Sequence, residues 1–139
     1  MRVLIAPDKF KGTLTADEAA RAIAVGLARG LPGAELDLLP IADGGEGTVD
    51  ALVEAGGGER REVEVTGPDG GRVRAVWGVL GDGRTAVVEA AAACGLGLVP
   101  AGRRDPRAAT SRGLGELLRT VADAGLREVI VGLGGTGTN

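Results

Sequence analysis

One pattern recurs along this chain and narrows its fold more than any other. A short apolar run ends in a polar, glycine-containing loop, and the loop leads into a helical period. Arg2-Val3-Leu4-Ile5-Ala6 is the first such run, brief and without alternation, as expected of a buried parallel strand. After the loop from Pro7 to Leu14, Thr15-Ala16-Asp17-Glu18 has capping-box spacing, with an acid three residues beyond the hydroxyl. Ala19, Ile23 and Leu27 then fall on one face of a helix that Gly30 can close. Leu36 to Ile41 reads as a second apolar strand and Ala42 to Gly47 as a second polar loop. Val49, Leu52 and Val53 continue as a helix that stops at Gly56-Gly57-Gly58. The rhythm is β-α-β-α, that of an open parallel sheet.

The rhythm changes after Gly58. Glu62-Val63-Glu64-Val65 and Arg72-Val73-Arg74-Ala75-Val76-Trp77 alternate strictly, with the turn Gly67-Pro68-Asp69-Gly70 between them. Gly81-Asp82-Gly83 is another turn, and Thr85 to Ala90 a third strand, giving an antiparallel meander with one wet face. Leu114, Leu117, Leu118 and Val121 restore the helical period, with Thr110 or Ser111 as N-cap and Gly125 as stop, and Glu128 to Val131 is a further buried strand. The expected fold is therefore α/β: an open parallel βαβ sheet, Rossmann- or flavodoxin-like, with a second, smaller α+β lobe containing the meander. Residues 1–60 with 111–139 are expected to form the parallel domain, incomplete at its C-terminus. Residues 61–110 are expected to belong to an inserted α+β domain. A strand followed by Gly132-Leu133-Gly134-Gly135-Thr136-Gly137-Thr138-Asn139 should open a helix, so the sequence reads as an N-terminal fragment cut in mid-motif.

Composition removes several function classes. A net charge of −3 gives no basic surplus for nucleic acid or anionic membrane. Aromatic residues make up 1%, too few for base-stacking platforms. Cys94 is the one cysteine, so it reads as a small buried hydrophobe in a reducing, cytoplasmic setting. No apolar run approaches the length of a membrane span, and the start of the chain does not read as a signal peptide. Histidine is absent and Ser111 is the one serine, so a Ser-His-Asp triad cannot form. Acid–base work falls to carboxylates, lysines or the substrate.

The polar loops carry the candidate chemistry. The chain has 16 basic residues, of which Lys9 and Lys11 are the two lysines, and both lie in the loop after the first strand. Lysine supplies a compact ammonium suited to phosphate oxygens, and loops at strand C-termini are the usual ligand rim of parallel α/β folds. As a solvated loop the two would have no such role. Asp43-Gly44-Gly45-Glu46-Gly47-Thr48 can converge backbone N–H groups on an anion at a helix N-terminus. Its carboxylates suit Mg²⁺, which takes oxygen ligands. Helix capping by Asp43 or Thr48 is the plainer reading. Gly132-Leu133-Gly134-Gly135-Thr136-Gly137 matches G-x-G-x-x-G after a strand, a weak fingerprint in a chain with 26 glycines. Arg103-Arg104-Asp105-Pro106 with Thr110-Ser111 could face an anionic substrate, or be a charged connector with an ordinary N-cap.

Two of these loops resemble a known family. Ala6-Pro7-Asp8-Lys9-Phe10-Lys11-Gly12-Thr13-Leu14-Thr15-Ala16 is similar to the opening motif of the bacterial glycerate kinases of type I, the glycerate 2-kinase group, and Pro40-Ile41-Ala42-Asp43-Gly44-Gly45-Glu46-Gly47-Thr48 resembles their second motif. The segments Glu89 to Leu96, Asp105 to Gly113 and Val131 to Gly135 align in order as well, while Thr136 and Gly137 depart from the usual Ser-Ala. The resemblance implies a protein more than twice as long, with two α/β lobes and an active site in the cleft between them. It implies ATP-dependent, Mg²⁺-assisted phosphorylation of D-glycerate to 2-phosphoglycerate, with this stretch inactive alone. Partners would then be D-glycerate and ATP, with no nucleic acid and no membrane; a homo-oligomer is compatible. Lys9, Lys11 and Asp43 are the expected catalytic residues, with Asp43 and Glu46 toward metal. Asp8, Gly12, Gly44, Gly45, Gly47, Thr48, Ser111, Gly134, Gly135, Thr136, Thr138 and Asn139 are expected to contact substrate or phosphate. A nucleotide- or dinucleotide-binding module without kinase chemistry is the alternative.

Overall fold

The computed structural model describes residues 1–10 and 12–138. Lys11 and Asn139, both expected at the site, lie outside the described residues. The chain divides into two compact units, Met1–Asp43 and Gly44–Asn139.

The first unit is a β-α-β arrangement. Strand β1 (Arg2–Ile5) pairs in parallel with β2 (Glu35–Leu38), with Arg2 opposite Glu35 and Ile5 opposite Leu38. Helix α1 (Ala16–Gly30) crosses between them. Its capping box forms as the spacing requires: Glu18 N–H donates to Thr15 Oγ1, and the Glu18 carboxylate accepts from Thr15 N–H at 2.8 Å. The expected stripe of Ala19, Ile23 and Leu27 is kept at Ala19 and in part at Leu27, and fails at Ile23. Ala19 and Ala20 are fully covered, whereas Ile23 is 41% exposed, because the small face of the helix is what meets the two strands. β1 is less buried than its apolar sequence suggests: Ile5 is covered, but Leu4 is exposed.

The second unit holds a mixed four-stranded sheet in the order β3-β4-β5-β6: β3 (Glu59–Thr66), β4 (Arg72–Val79), β5 (Thr85–Glu89) and β6 (Glu128–Gly132). β3, β4 and β5 are antiparallel neighbours, as the alternation indicates. The turn at Gly67-Pro68-Asp69-Gly70 closes with Gly67 N–H on Gly71 O at 2.6 Å, and Gly70 takes φ 84°. β6 pairs in parallel with β5, reached by a crossover through α3 (Ala90–Cys94), two short 3₁₀ turns at Leu96–Leu98 and Ala101–Arg103, and α4 (Arg112–Asp123). The expectation that 111–139 shares the first parallel sheet is thus corrected: Glu128–Gly132 extends the meander instead. The apolar run announces a strand without saying which neighbour it takes, and the expected burial is corrected too: at the end of the strand order, Val129, Ile130 and Val131 are exposed.

The expected wet face of the meander forms along β3 and the start of β4, where Glu62, Glu64, Arg72 and Arg74 are exposed, and is corrected at β5. Val65, Trp77, Ala86, Val88, Leu117 and Val121 form a core on one side of the sheet. On the other side Val87 packs with Val49 and Val53 of α2 (Thr48–Gly56). α2 can lie this close because β4 carries Gly78, where a Cβ would stand 2.3 Å from the Val53 side chain. Trp77 Nε1 is buried with no acceptor among the described residues, and Arg61 lies over its ring at 5.3 Å, a cation–π contact.

The β4–β5 turn contributes a pH dependence. Asp82 accepts from Arg84 N–H, Thr85 N–H and the Thr85 hydroxyl, and its pKa falls from 3.8 to about 2, with the Thr85 hydroxyl the largest cause. A depressed carboxyl contributes stability above its unfolded pKa and loses it as pH falls through the folded value. Asp82→Asn should therefore lower the melting temperature at pH 7, and the gap to wild type should shrink between pH 4 and pH 2. A gap constant with pH would show that the carboxylate's charge is irrelevant.

Candidate functional site

In the first unit, the polar loops after β1 and β2 run side by side. The parallel ladder continues past β2: Leu39 N–H donates to Ile5 O at 2.8 Å and Ile41 N–H to Pro7 O at 2.9 Å. That extension carries Asp43 to Lys9, whose Nζ donates to Asp43 Oδ1 at 2.7 Å. The lysine side chain is 22% exposed and the aspartate 52%, so the pair contributes little to stability, on the order of 0–1 kcal/mol. Its consequence is chemical. An ammonium is fixed beside a carboxylate at the C-terminal end of a parallel strand, where ligands bind in such sheets. Asp8 accepts from Lys9 N–H at 2.6 Å and so shapes the loop entry. Phe10 and Leu14 exchange backbone hydrogen bonds, and Gly12 takes φ 78°, a conformation that favours glycine.

In the second unit, the loop from Gly44 to Thr48 meets the loop after β6. Gly134 N–H donates to Gly44 O at 2.8 Å. A Cβ on Gly132 would stand 2.5 Å from Gly44 O, and one on Gly134 would stand 2.7 Å from Gly45 N. The glycines here permit backbone to lie on backbone. Glu46 lies against Gly135, whose Cβ would stand 2.6 Å from the glutamate carboxylate; Gly135 takes φ 72°. Farther on, Gly137 N–H donates to Cys94 O at 2.8 Å, and Thr136 pairs with Gly95 in an isolated antiparallel bridge. Two N–H groups of the loop, those of Gly134 and Gly137, are thus engaged within the protein. Burial pushes the Cys94 thiol pKa up, consistent with an inert buried residue.

The N-terminus of α2 holds an anion, and the anion belongs to the chain. Glu89, at the end of β5 and opposite Gly132, accepts from Val49 N–H at 3.1 Å, and the N–H groups of Gly47 and Thr48 also favour its charged form. Burial raises its pKa, and those N–H groups oppose the shift. The N-cap Gly47, at φ 92°, has no side chain with which to cap the helix, and Glu89 takes that part from 40 residues away in sequence. Thr48 does not cap α2 either: its hydroxyl donates to Gly45 O at 2.7 Å. Glu89 was not among the expected site residues. The available signal is an acid at the end of an apolar strand, before the alanine run Ala90–Ala93. Glu89→Ala should cost about 1–3 kcal/mol, the desolvation of the orphaned N–H groups, and Glu89→Gln should recover part of it by keeping an acceptor. Chemical denaturation of both variants checks this, and an alanine variant as stable as wild type would contradict it.

Ser111 is the N-cap residue of α4 but makes no side-chain capping bond; Arg112 N–H goes to Thr110 Oγ1 at 3.1 Å. Among the described residues, no group of three carboxylate or cysteine side chains could by itself hold a metal ion.

A family model for the glycerate kinases matches residues 3–139. The chain belongs to the glycerate kinase family. It is 54% identical over 139 residues to a glycerate kinase of Bacillus subtilis and 50% identical to a glycerate 2-kinase of Escherichia coli, covering 100% of this chain and 36% of each relative. A crystal structure of a protein described as a glycerate kinase 2 from Salmonella typhimurium LT2 superposes with a TM-score of 0.78 at 52% identity, covering 100% of this chain and 38% of that one. The chain thus spans little more than a third of the length of the glycerate kinases it matches. The mixed α/β architecture agrees with that neighbour.

Proposed function

We propose that the full-length protein to which this stretch belongs is a cytoplasmic glycerate kinase that transfers the γ-phosphoryl group of ATP to D-glycerate, giving 2-phosphoglycerate. The observation that carries this reading is the match of the whole chain to that family at about half identity with named glycerate kinases. The loop geometry supports it. Phosphoryl transfer asks a protein for positioning and for neutralisation of charge, and both units present polar loops after β-strands.

In the first unit, the Lys9 ammonium stabilises negative charge on the transferring phosphoryl group, and Asp43, held by Lys9, accepts the proton of the attacking glycerate hydroxyl or binds metal. Asp8 and Gly12 shape that loop, and Lys11 adds a second cation. In the second unit, Gly44, Gly45, Gly47 and Thr48 set the path of the loop, and Gly134, Gly135, Thr136 and Thr138 continue the facing one, with Ser111 at the head of α4; Asn139 would offer an amide to substrate or phosphate. Mg²⁺ fits the donor chemistry of a carboxylate on either unit, Asp43 in the first or Glu46 in the second, and the ion usually draws its remaining ligands from water and substrate phosphate. Bound at either, it would neutralise phosphate charge.

The test is a coupled ADP-release assay on the purified full-length protein with ATP and Mg²⁺. D-glycerate should drive ADP release, and residues 1–139 alone should give none. A full-length protein that binds ATP but releases no ADP with D-glycerate would favour the nucleotide-binding module without kinase activity. Equal turnover by the two proteins would show that the first 139 residues hold the whole active site.

A further inference from the structure

The loop from Gly44 to Thr48 is held at both ends within the second unit. At its start, Gly134 N–H donates to Gly44 O at 2.8 Å, and a Cβ on Gly132 would stand 2.5 Å from the same oxygen. At its end, the half-buried Glu89 accepts from Val49 N–H at 3.1 Å, and the N–H groups of Gly47 and Thr48 also favour its charged form. The two anchors share a base. Glu89 and Gly132 stand opposite each other at the ends of β5 and β6, so one end of the sheet fixes both ends of the loop.

Between the anchors the loop closes on itself. The Thr48 hydroxyl donates to Gly45 O at 2.7 Å and Thr48 N–H to the same oxygen at 3.2 Å. This turn spans Glu46, whose carboxylate lies against Gly135. A Ser, Thr or Asp at the N-cap would satisfy the head of α2 from within the loop. The N-cap is Gly47, which brings no side chain. A carboxylate from the sheet does more than a local cap: it registers the loop on the strand that carries it.

We propose that Glu89 is a positioning residue of the candidate site, holding the head of α2 onto the end of β5 and so setting where the Gly44–Thr48 loop, and with it the Glu46 carboxylate, stands beside the loop after β6. The inference rests on the reading of the full-length protein as a glycerate kinase. Glu89 acts through the loop, and displacement of a positioned group by about an ångström costs on the order of 10²-fold in rate. A cap that served stability alone would set no rate.

The experiment is steady-state kinetics of the full-length protein with ATP, Mg²⁺ and D-glycerate, comparing wild type with Glu89→Ala, Glu89→Gln and Val53→Ala. Glu89→Ala should lower kcat by about 10²-fold. The KM values for ATP and D-glycerate should change little, the pattern of an interaction that matters in the transition state alone. Glu89→Gln keeps the side-chain length and one acceptor oxygen. It should lose about tenfold in kcat, the weight of a charge-assisted hydrogen bond, and it serves if the alanine variant does not fold. Val53 is buried on the same helix, packed with Val49 and Val87. Val53→Ala should lower the melting temperature by weakening that packing and leave kcat unchanged. Four results would overturn the proposal: wild-type kcat in a folded Glu89→Ala or Glu89→Gln protein, a loss confined to KM, a glutamine variant no faster than the alanine one, or a loss in Val53→Ala equal to that in Glu89→Ala. A wild-type protein without glycerate-dependent ADP release refutes the kinase reading and this inference with it, whereas an active wild type matched by its Glu89 variants refutes this inference alone.

Discussion

Lys9→Ala in the full-length protein should lower kcat for D-glycerate by about 10²–10³-fold, the usual loss when one preorganised charge-stabilising donor is removed. The fold should survive, because the Lys9–Asp43 pair is partly exposed and such pairs contribute little to stability. Lys9→Arg should restore only part of the rate: the planar guanidinium is bulkier and spreads its charge, and it must reach Asp43 from the same loop. Circular dichroism and thermal melting establish that the variants are folded; steady-state kinetics give the rates. If Lys9→Ala and Lys11→Ala together leave kcat and KM unchanged, the loop after β1 has no part in the chemistry.

Gly134→Ala should produce the second large effect. A Cβ there meets Gly45 N at 2.7 Å and Gly45 Cα at 2.9 Å. Both are backbone atoms, so no side chain can move aside, and the two loops must separate. The Gly134 N–H bond to Gly44 O is strained or lost with them. Overpacking of this kind costs about 1–3 kcal/mol of stability. Displacement of a positioned loop by about an ångström costs on the order of 10²-fold in rate. Gly115→Ala is the matched control. Gly115 lies inside α4 with nothing within 4 Å of its Cβ, so that change should stabilise by about 0.5–1 kcal/mol through helix propensity and leave kcat alone. Equal behaviour of the two variants would show that the close approach of the loops is irrelevant to function.

Local chemistry is what the sequence displays most clearly. The Thr15–Glu18 capping box, the Gly67–Gly70 turn and the alternation of β3 and β4 are each set by neighbouring residues, and each forms as read. Long-range choices are less visible. Val129, Ile130 and Val131 announce a strand, yet the pairing of that strand with β5 depends on the whole crossover. The burial of Val87 on the α2 side depends on Gly78 lying under Val53, a contact no periodicity reveals. At the candidate site, the Lys9 and Asp43 motifs were legible because both loops follow strands. Glu89 was hidden because its hydrogen bond to Val49 spans 40 residues. The loop before α2 reads as converging N–H groups on an anion, and the anion found at that helix end is the protein's own Glu89 carboxylate.

The most direct test of glycerate phosphorylation is ³¹P NMR of the full-length protein turning over ATP, Mg²⁺ and D-glycerate. The γ-phosphate resonance of ATP should decline as that of 2-phosphoglycerate grows in equal amount, with neither change when D-glycerate is omitted. ATP consumed only to inorganic phosphate, phosphate appearing on the 3-hydroxyl, or no change in any resonance would contradict it.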